Sequence, residues 1–233
     1  MKEIFDDYVK SAYRRKDMSQ SKINEIELNY RQYFPYDKSC EVLDVGIGTG
    51  EMLWCMKEWG YQYCGIDISP ATVQFCADAG LNAELVDDTP AWLTKKPDRY
   101  GLISLLDVLE HIPKNGCIGF LKALRASLTY DGTLLISVPN LQAPHASLHR
   151  YNDITHEVGY TEQSLYQVLY AAGFTDIKFL GLEGVPARRL HKIYKMVFRP
   201  LYWRLVRLSR AINENLNPVV LNPVLVAVVK KSH

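Results

Sequence analysis

A short apolar segment that runs directly into a glycine-rich turn constrains the fold more than any other feature of this sequence. Residues 41–45 have strand character, and the turn that follows reads Gly46-Ile47-Gly48-Thr49-Gly50. Beyond it, segments with helical character alternate with further segments of strand character. Such alternation is typical of a parallel sheet with helices on both faces. The sequence therefore predicts a doubly wound α/β fold.

Seven strands are predicted along the chain, with four helices between them. The strands are 41–45, 61–68, 82–86, 100–106, 133–138, 174–180 and 224–230, and the helices are 51–59, 70–79, 117–128 and one that begins at Thr161. Ser69 and Thr161 are of the types that cap helix N-termini, and Gly80 is of the type that follows a helix C-terminus.

A single domain is expected to contain all 233 residues, since 48% of them are hydrophobic, which suits one large core. It divides into a helical N-terminal cap (1–38), an α/β core (39–180), a basic amphipathic insertion (181–218) and a last strand (219–233). The five cysteines form no CxxC pair, which indicates reduced thiols. Because no apolar signal segment or membrane-spanning window is found, a cytoplasmic protein is expected.

The glycine turn has the spacing GxGxG, which differs from the GxGxxG pattern of dinucleotide-binding folds. The last glycine of that pattern would fall at position 51, where this chain has Glu51, in the first turn of the following helix. A carboxylate there would compete with a pyrophosphate for the positive end of the helix. The turn therefore suits a nucleoside ligand without a phosphate group.

Carboxylates at the ends of the first three strands stand in an order that suits such a ligand. Asp67 ends the second strand, 21 residues after Gly46, where a carboxylate can accept hydrogen bonds from both ribose hydroxyls. Asp87 or Asp88, after the third strand, could accept from the adenine amino group. Asp44, beneath the turn, can hold the turn itself or an ammonium group of the ligand through water.

Together, the glycine turn and these acids resemble the class I S-adenosylmethionine-dependent methyltransferases over roughly residues 38 to 180. That resemblance implies a Rossmann-like sheet of seven strands, mostly parallel, with an antiparallel last strand. It also implies that S-adenosylmethionine binds at the turn. The matching cofactor-binding positions are Asp44, Gly46, Gly48, Gly50, Asp67 and Asp87.

The fourth strand leads into Asp107-Val108-Leu109-Glu110-His111. This string lacks the Asp/Asn-Pro-Pro-aromatic run of enzymes that methylate exocyclic amines of nucleic-acid bases. It resembles the ubiquinone-type O-methyltransferases, which implies that Asp107 lies near the cofactor and His111 near the acceptor. Asp107, Glu110 and His111 would share one face of a helix turn and could bind a divalent cation, although no metal is expected to be required. Alternatively, His111 is a structural histidine bonded to backbone.

The segment after the fifth strand carries polar, titratable residues at the sheet edge where the cofactor is expected. Its run Arg150-Tyr151-Asn152-Asp153-Ile154-Thr155-His156-Glu157 resembles a bacterial methyltransferase subgroup associated with cell-surface polysaccharide synthesis. The resemblance implies an active-site region, in which we expect His156, or else His111, to be the general base. The expected acceptor-binding residues are Arg150, Tyr151, Asp153 and Glu157. The alternative is that His156 and Glu157 only cap the next helix.

A basic amphipathic segment precedes the last strand. Between Gly184 and Asn213 the sequence has eight lysines and arginines and no acidic residue, and its apolar residues recur at helical spacing. Such a helix is expected to lie on an anionic membrane surface through residues 188–210. The alternatives are a lid on the same domain, a dimer interface or an RNA-binding surface, and Pro200 predicts a kink or break.

The sequence thus predicts methyl transfer from S-adenosylmethionine to an oxygen of a saccharide or lipid-linked glycan, by a cytoplasmic enzyme that can dock on the inner membrane face. The alternatives are O-methylation of a small aromatic or quinone-type metabolite and methylation of RNA. A non-catalytic cofactor-binding protein is disfavoured by the crowded polar loop. Nucleic acid is not an expected partner, and the oligomeric state is left open.

Overall fold

The computed structural model describes residues 18–185, 189–213 and 220–232. Helices α1 to α8 are Gln20–Tyr30, Glu51–Glu58, Pro70–Asp78, Thr89–Thr94, Cys117–Ser127, Ala146–Tyr151, Glu162–Ala171 and Arg189–Asn213. Strands β1 to β7 are Glu41–Val45, Gln62–Asp67, Ala83–Leu85, Tyr100–Leu106, Leu128–Pro139, Asp176–Gly181 and Val224–Lys230. The first 17 residues of the predicted N-terminal cap, and residues 214–219, lie outside the described part.

All seven strands form one sheet in the order β3-β2-β1-β4-β5-β7-β6. The strands from β1 to β5 pair in parallel, whereas β7 runs antiparallel to both β5 and β6. The prediction of a doubly wound, mostly parallel sheet with an antiparallel last strand is confirmed. Because the strand order reverses between β1 and β4, a crevice is expected at their carboxyl ends.

Helices cover both faces of the sheet. Two clusters of buried side chains lie against it, one on each side. The first includes residues of α4, α5 and α7, such as Leu93, Leu121 and Leu165. The second includes residues of α1, α2 and α3, such as Ile26 and Leu53. Helix α1 is therefore part of the core, on the side of the sheet that carries α2.

The predicted helix caps are confirmed. Ser69 Oγ accepts a hydrogen bond from the backbone amide three residues later, and Gly80 follows α3 with a φ of 69°. Thr161 and Ser164 form a reciprocal capping box at the start of α7, in which each side chain accepts from the other's amide. The alternative in which His156 and Glu157 cap this helix is therefore wrong.

Several boundaries differ from the prediction. β5 begins at Leu128, earlier than predicted. Asp131-Gly132, which was predicted as a turn before the strand, lies within β5, at the point where its pairing with β4 shifts register. The six-residue helices α4 and α6 were not predicted, since they are too short to show a helical period. α8 continues through Pro200, so the break that was one of the two predicted possibilities does not occur. Within the described residues, no helix is both long and apolar enough to cross a bilayer.

Candidate active site

The glycine turn lies at the carboxyl end of β1. Gly46, Gly48 and Gly50 all have positive φ angles, of 78°, 51° and 84°. A side chain at Gly46 would place its Cβ 2.2 Å from Cγ2 of Val108, in the loop after β4. Only glycine fits this position, since both the backbone conformation and the close approach exclude a larger residue.

A main cavity of about 510 Å³ opens at the carboxyl ends of β1, β2 and β4. Its walls include five of the seven predicted cofactor-binding residues and one of the two predicted catalytic histidines. These are Gly46, Gly48, Asp67, Asp87, Asp107 and His111. The crevice that the strand order predicts is therefore the place where the sequence-predicted residues meet.

Asp67 ties the glycine turn to the end of β2. Its Oδ2 accepts a hydrogen bond of 3.0 Å from the amide of Ile47, and its Oδ1 accepts one of 2.8 Å from the amide of Ser69. Burial raises the pKa of Asp67, and the backbone amides that it accepts from oppose this change. The carboxylate is thus held at one position on the cavity wall.

Asp87 and Asp88, the two alternatives for the acid that accepts from the adenine amino group, have different surroundings in the structure. Asp88 is the N-cap of α4, because its Oδ1 accepts a hydrogen bond of 2.9 Å from the amide of Ala91. Both Asp87 and Asp88 line the main cavity. Since Asp88 is committed to its cap, Asp87 is the better candidate to accept from a ligand.

A second cavity of about 350 Å³, the turn-side cavity, lies against the glycine turn and shares Gly46, Gly48, Leu106 and Asp107 with the main cavity. Asp44 contributes to its wall and is nearly completely buried. Burial raises the pKa of Asp44 to about 7, although Ser104 Oγ donates a 2.5 Å hydrogen bond to its Oδ1 that opposes the change. Gly50 lines neither cavity.

Glu51 occupies the start of α2 with its own carboxylate. It accepts a 2.6 Å hydrogen bond from the Thr49 hydroxyl and a 2.9 Å hydrogen bond from the amide of Ser19. This arrangement leaves a negative charge where a dinucleotide-binding fold places a pyrophosphate, as the sequence predicted. It also ties the segment before α1 to the turn.

Among the described residues that line the turn-side cavity, Lys22 of α1 is the only cation. Its Nζ donates to Glu25 Oε1 at 3.1 Å. Burial alone would lower the pKa of Lys22, but Asp107, Glu25 and Glu51 together outweigh burial and raise it. The lysine is therefore held charged among carboxylates.

Asp107 follows β4 in a left-handed conformation with a φ of 55°, which is uncommon for a residue with a side chain. Ser137 of β5 holds it there. The Ser137 hydroxyl donates a 2.8 Å hydrogen bond to Asp107 Oδ1, and the Asp107 amide donates to the Ser137 carbonyl at 3.0 Å. The predicted helix turn begins only after Asp107, as a short 3₁₀ turn at Leu109–His111.

His111 stands between the main cavity and the segment after β5. Its Nδ1 lies 2.9 Å from the Thr155 hydroxyl, which donates a 2.6 Å hydrogen bond to Asp153 Oδ1. A hydroxyl has one proton, so Nδ1 of His111 must donate to Thr155. Burial lowers the pKa of His111, and the nearby His156 lowers it further. A neutral imidazole is therefore oriented at the cavity wall.

His156 lies behind His111, with 4.8 Å between the ring centroids. Its Nδ1 lies 3.2 Å from the Arg150 carbonyl oxygen, and its Nε2 lies 3.9 Å from Glu110 Oε1. Glu110 is buried, neither of its oxygens has a hydrogen-bond partner among the described residues, and burial raises its pKa well above the usual value. His156 lines neither cavity.

One ligand atom from each of Glu110, His111 and His156 lies within 4.8 Å of the others. Two imidazoles and a carboxylate are a donor set that divalent transition metals accept. The cation site predicted at Asp107, Glu110 and His111 is therefore corrected, because Asp107 is bonded to Ser137 and His156 takes its place in the cluster.

The predicted acceptor-binding residues surround the two histidines without lining either cavity. Arg150 donates a 3.3 Å hydrogen bond to the Glu157 carbonyl oxygen and lies over the exposed Tyr151 ring. Asp153 accepts from Thr155. The side chain of Glu157 is exposed. Their roles remain predictions.

Four residues of the site escaped the sequence analysis. Ser104 and Ser137 interrupt the apolar runs 102–106 and 134–138 within β4 and β5, and that interruption was the available signal. Thr155 lies within the run from Arg150 to Glu157, but the sequence suggested no role for it. Lys22 gave no local signal, because it reaches the site only through the packing of α1 beside α2.

The fold is that of the S-adenosylmethionine-dependent methyltransferases. A "SAM dependent methyltransferase from Archaeoglobus fulgidus" superposes with a TM-score of 0.67 over 90% of this chain and 94% of that one, at 24% identity. Phosphoethanolamine N-methyltransferase 2 of Haemonchus contortus, solved with S-adenosyl-L-methionine, superposes with a TM-score of 0.59 over 98% of this chain and 60% of that one, at 13% identity.

The chain belongs to the methyltransferase domain family, whose model matches residues 13–178. The ubiquinone biosynthesis O-methyltransferase of Serratia proteamaculans is 31% identical over 100 residues, which are 40% of this chain and 41% of that protein. The chain thus aligns with about half or less of the length of such relatives. The prediction of an S-adenosylmethionine-dependent methyltransferase is confirmed at the level of family and fold.

Proposed function

We propose that this methyltransferase transfers the methyl group of S-adenosylmethionine to an oxygen atom of a saccharide or lipid-linked glycan. One observation carries the proposal, namely two acid-lined cavities that share the glycine turn and Asp107, with a neutral, oriented His111 on the wall of the larger one. S-adenosylmethionine is an elongated cation with an adenosine at one end, so it suits two joined cavities lined by carboxylates. A pyrophosphate would be repelled by the same lining.

Each end of the cofactor has a matching set of groups. In the main cavity, Asp67 would accept from the ribose hydroxyls and Asp87 from the adenine amino group. In the turn-side cavity, Asp44 would accept from the methionine ammonium group and Lys22 would bind the methionine carboxylate. Gly46 would let the backbone approach the ligand closely.

When bound, S-adenosylmethionine supplies an electrophilic methyl group whose sulfur leaves as a neutral thioether. The main task of the protein is then to align the acceptor oxygen with that methyl group, and alignment of reactants can supply roughly 7–11 kcal/mol of a barrier. His111 accepts the proton of the acceptor hydroxyl as the new carbon–oxygen bond forms, which is worth about 10²–10⁴-fold in rate. Thr155 and Asp153 hold the imidazole in the tautomer that this step needs.

The geometry favours His111 over His156 as the base. His111 lines the main cavity, whereas His156 lies behind it and faces Glu110 and the Arg150 carbonyl. This order reverses the expectation from sequence, in which His156 came first. His156 and Glu110 would instead shape the environment of His111.

The polar run after β5 supports a saccharide acceptor. Arg150, Asp153 and Glu157 lie close to the histidines and offer both donors and acceptors, which a hydroxyl-rich ligand requires. A lipid-linked saccharide would also bring the enzyme to a bilayer, for which the basic helix α8 is suited. The second candidate is a small quinone-type acceptor, which is favoured by the similarity to ubiquinone biosynthesis O-methyltransferases.

Transfer of labelled methyl groups distinguishes these acceptors. The enzyme is incubated with radiolabelled S-adenosylmethionine and, separately, with lipid-linked saccharides, demethylated quinone precursors and RNA. Label in the saccharide fraction that is lost in His111→Ala but retained in the control His149→Ala supports the proposal. Label in the quinone fraction alone establishes the second candidate, and label in RNA alone contradicts both.

A further inference from the structure

Helix α8 turns a face with three cations toward the domain and an apolar face outward. Its half-buried residues recur at intervals of three or four, and they are Lys195, Arg199, Trp203, Val206 and Arg210. Two positions after each of them comes an exposed apolar residue: Val197, Leu201, Leu205, Leu208 and Ile212. Two positions correspond to about 200° of rotation around an α-helix, so the two sets lie on opposite faces.

Polar contacts fix this orientation. Arg199 makes two hydrogen bonds, of 2.6 and 2.9 Å, to the carboxylate of Glu183 just after β6. Lys195 Nζ donates to the Gly184 carbonyl oxygen at 3.4 Å, and Arg210 donates to the carbonyl oxygen of Gln142. Because these contacts span most of the helix, α8 cannot rotate its apolar face inward without losing them.

The outward face forms a continuous apolar stripe. The exposed fractions of Val197, Leu201, Leu205, Leu208 and Ile212 are 57%, 55%, 58%, 57% and 72%. No side chain of residues 193–213 belongs to either core cluster. A stripe about 24 Å long is more apolar surface than a soluble monomer usually leaves in water, so it indicates a partner.

The charge on α8 indicates which partner. Arg204 and Arg207 are exposed beside the stripe, and residues 185–213 contain no acidic side chain. Pairing of two α8 helices in a symmetric dimer would bring like charges together with no acid on the helix to offset them. Anionic phosphate groups would complement the arginines, while acyl chains would cover the stripe.

The segment that carries the expected acceptor-binding residues is tied to α8. The Arg210–Gln142 contact ties α8 to the segment after β5, which also carries Asp153, Thr155 and His156. Three apolar side chains of that segment are strongly exposed, namely Leu148, Tyr151 and Ile154. An enzyme that lies on a bilayer through α8 would therefore keep its acceptor segment close to the lipid.

We propose that α8 is an interfacial helix that docks this methyltransferase on an anionic lipid bilayer through the stripe from Val197 to Ile212. The proposal deepens the proposed function, since it supplies the route to a lipid-linked acceptor. It does not depend on the identity of that acceptor, because binding to vesicles is measured without methyl transfer.

Vesicle sedimentation tests the proposal. The full-length protein is mixed with vesicles of pure phosphatidylcholine and with vesicles containing 30% phosphatidylglycerol. We expect binding to the anionic vesicles that weakens at high salt, because the arginine–phosphate attraction is screened. Leu201→Gln combined with Leu205→Gln and Leu208→Gln should reduce that binding at least about tenfold, since three leucines that would enter the bilayer are lost.

Matched controls separate docking from folding and from catalysis. Ile118→Gln combined with Tyr166→Gln and Tyr170→Gln removes three exposed apolar side chains elsewhere and should bind as the wild type does. The α8 variant should keep its affinity for S-adenosylhomocysteine, which shows that the proposed active site is intact. Wild-type protein that binds neither vesicle at low salt overturns the proposal. The proposal is also overturned if the wild-type protein self-associates, or binds RNA and not vesicles, and the α8 variant loses that association or binding.

Discussion

The Thr155 hydroxyl lies 2.9 Å from Nδ1 of His111, and this contact determines which nitrogen of the imidazole carries the proton. Because the same hydroxyl donates to Asp153, it can only accept from His111. We therefore propose Nε2 as the nitrogen that acts as the base. The contact joins the loop after β4 to the segment after β5, which are 44 residues apart in sequence.

Thr155→Val should lower kcat about tenfold, since the loss of one hydrogen bond releases the imidazole from its tautomer and orientation. Thr155→Ser keeps the hydroxyl and should restore most of the rate. Steady-state kinetics with the labelled cofactor provide the measurement. Affinity for S-adenosylhomocysteine should stay the same in both variants. Equal losses in the valine and serine variants would show that Thr155 only fills space.

The pH dependence of kcat/KM should show an acid limb below the ordinary histidine pKa of about 6.5. Burial lowers the pKa of His111 and His156 lowers it further, while a hydrogen bond to the Thr155 backbone opposes them, as do the charges of Asp153 and Asp107. The neutral, active form of His111 therefore persists to lower pH. His156→Ala removes one lowering contribution and should move the limb to higher pH. A rate that does not change between pH 4.5 and 8 would exclude a histidine base.

Removal of divalent metal should leave the rate unchanged. Glu110, His111 and His156 could hold a cation, but our account uses His111 as a base, and a metal ion on Nε2 would block that role. The rate after treatment with EDTA, compared with that after re-addition of Mg²⁺, Mn²⁺ or Zn²⁺, provides the test. If the rate is lost with EDTA and recovers with one of these ions, the histidine acts as a metal ligand and not as a base.

Lys22→Met should weaken binding of S-adenosylhomocysteine roughly tenfold, because it removes a charge-assisted contact to the methionine carboxylate. Binding of 5′-methylthioadenosine should not change, since that molecule lacks the amino and carboxyl groups. Lys57→Met, which alters an exposed lysine on α2, is the control. Equal weakening for both ligands would indicate that Lys22 acts only by positioning α1.

The sequence revealed the features that depend on local pattern and missed those that depend on packing. Strand alternation and the glycine turn predicted the sheet and located the main cavity, and Ser69 and Thr161 predicted helix starts. The placement of Asp107 on one face of a helix turn with Glu110 and His111 was wrong, because Asp107 has a left-handed backbone and is bonded to Ser137, which is 30 residues away. The exposure of the apolar face of α8 follows from the contact of Arg199 with Glu183, which helical periodicity cannot show.

Titration calorimetry of Asp67→Ala tests the central claim most directly, because Asp67 is the residue that we assign to the ribose. The wild-type protein should bind S-adenosylhomocysteine with measurable heat, and the variant should bind at least about tenfold more weakly, since a charge-assisted pair of hydrogen bonds is lost. Circular dichroism of the variant would confirm that the sheet is intact. Equal affinity in wild type and variant, or no heat with either S-adenosylmethionine or its demethylated product, would contradict the account.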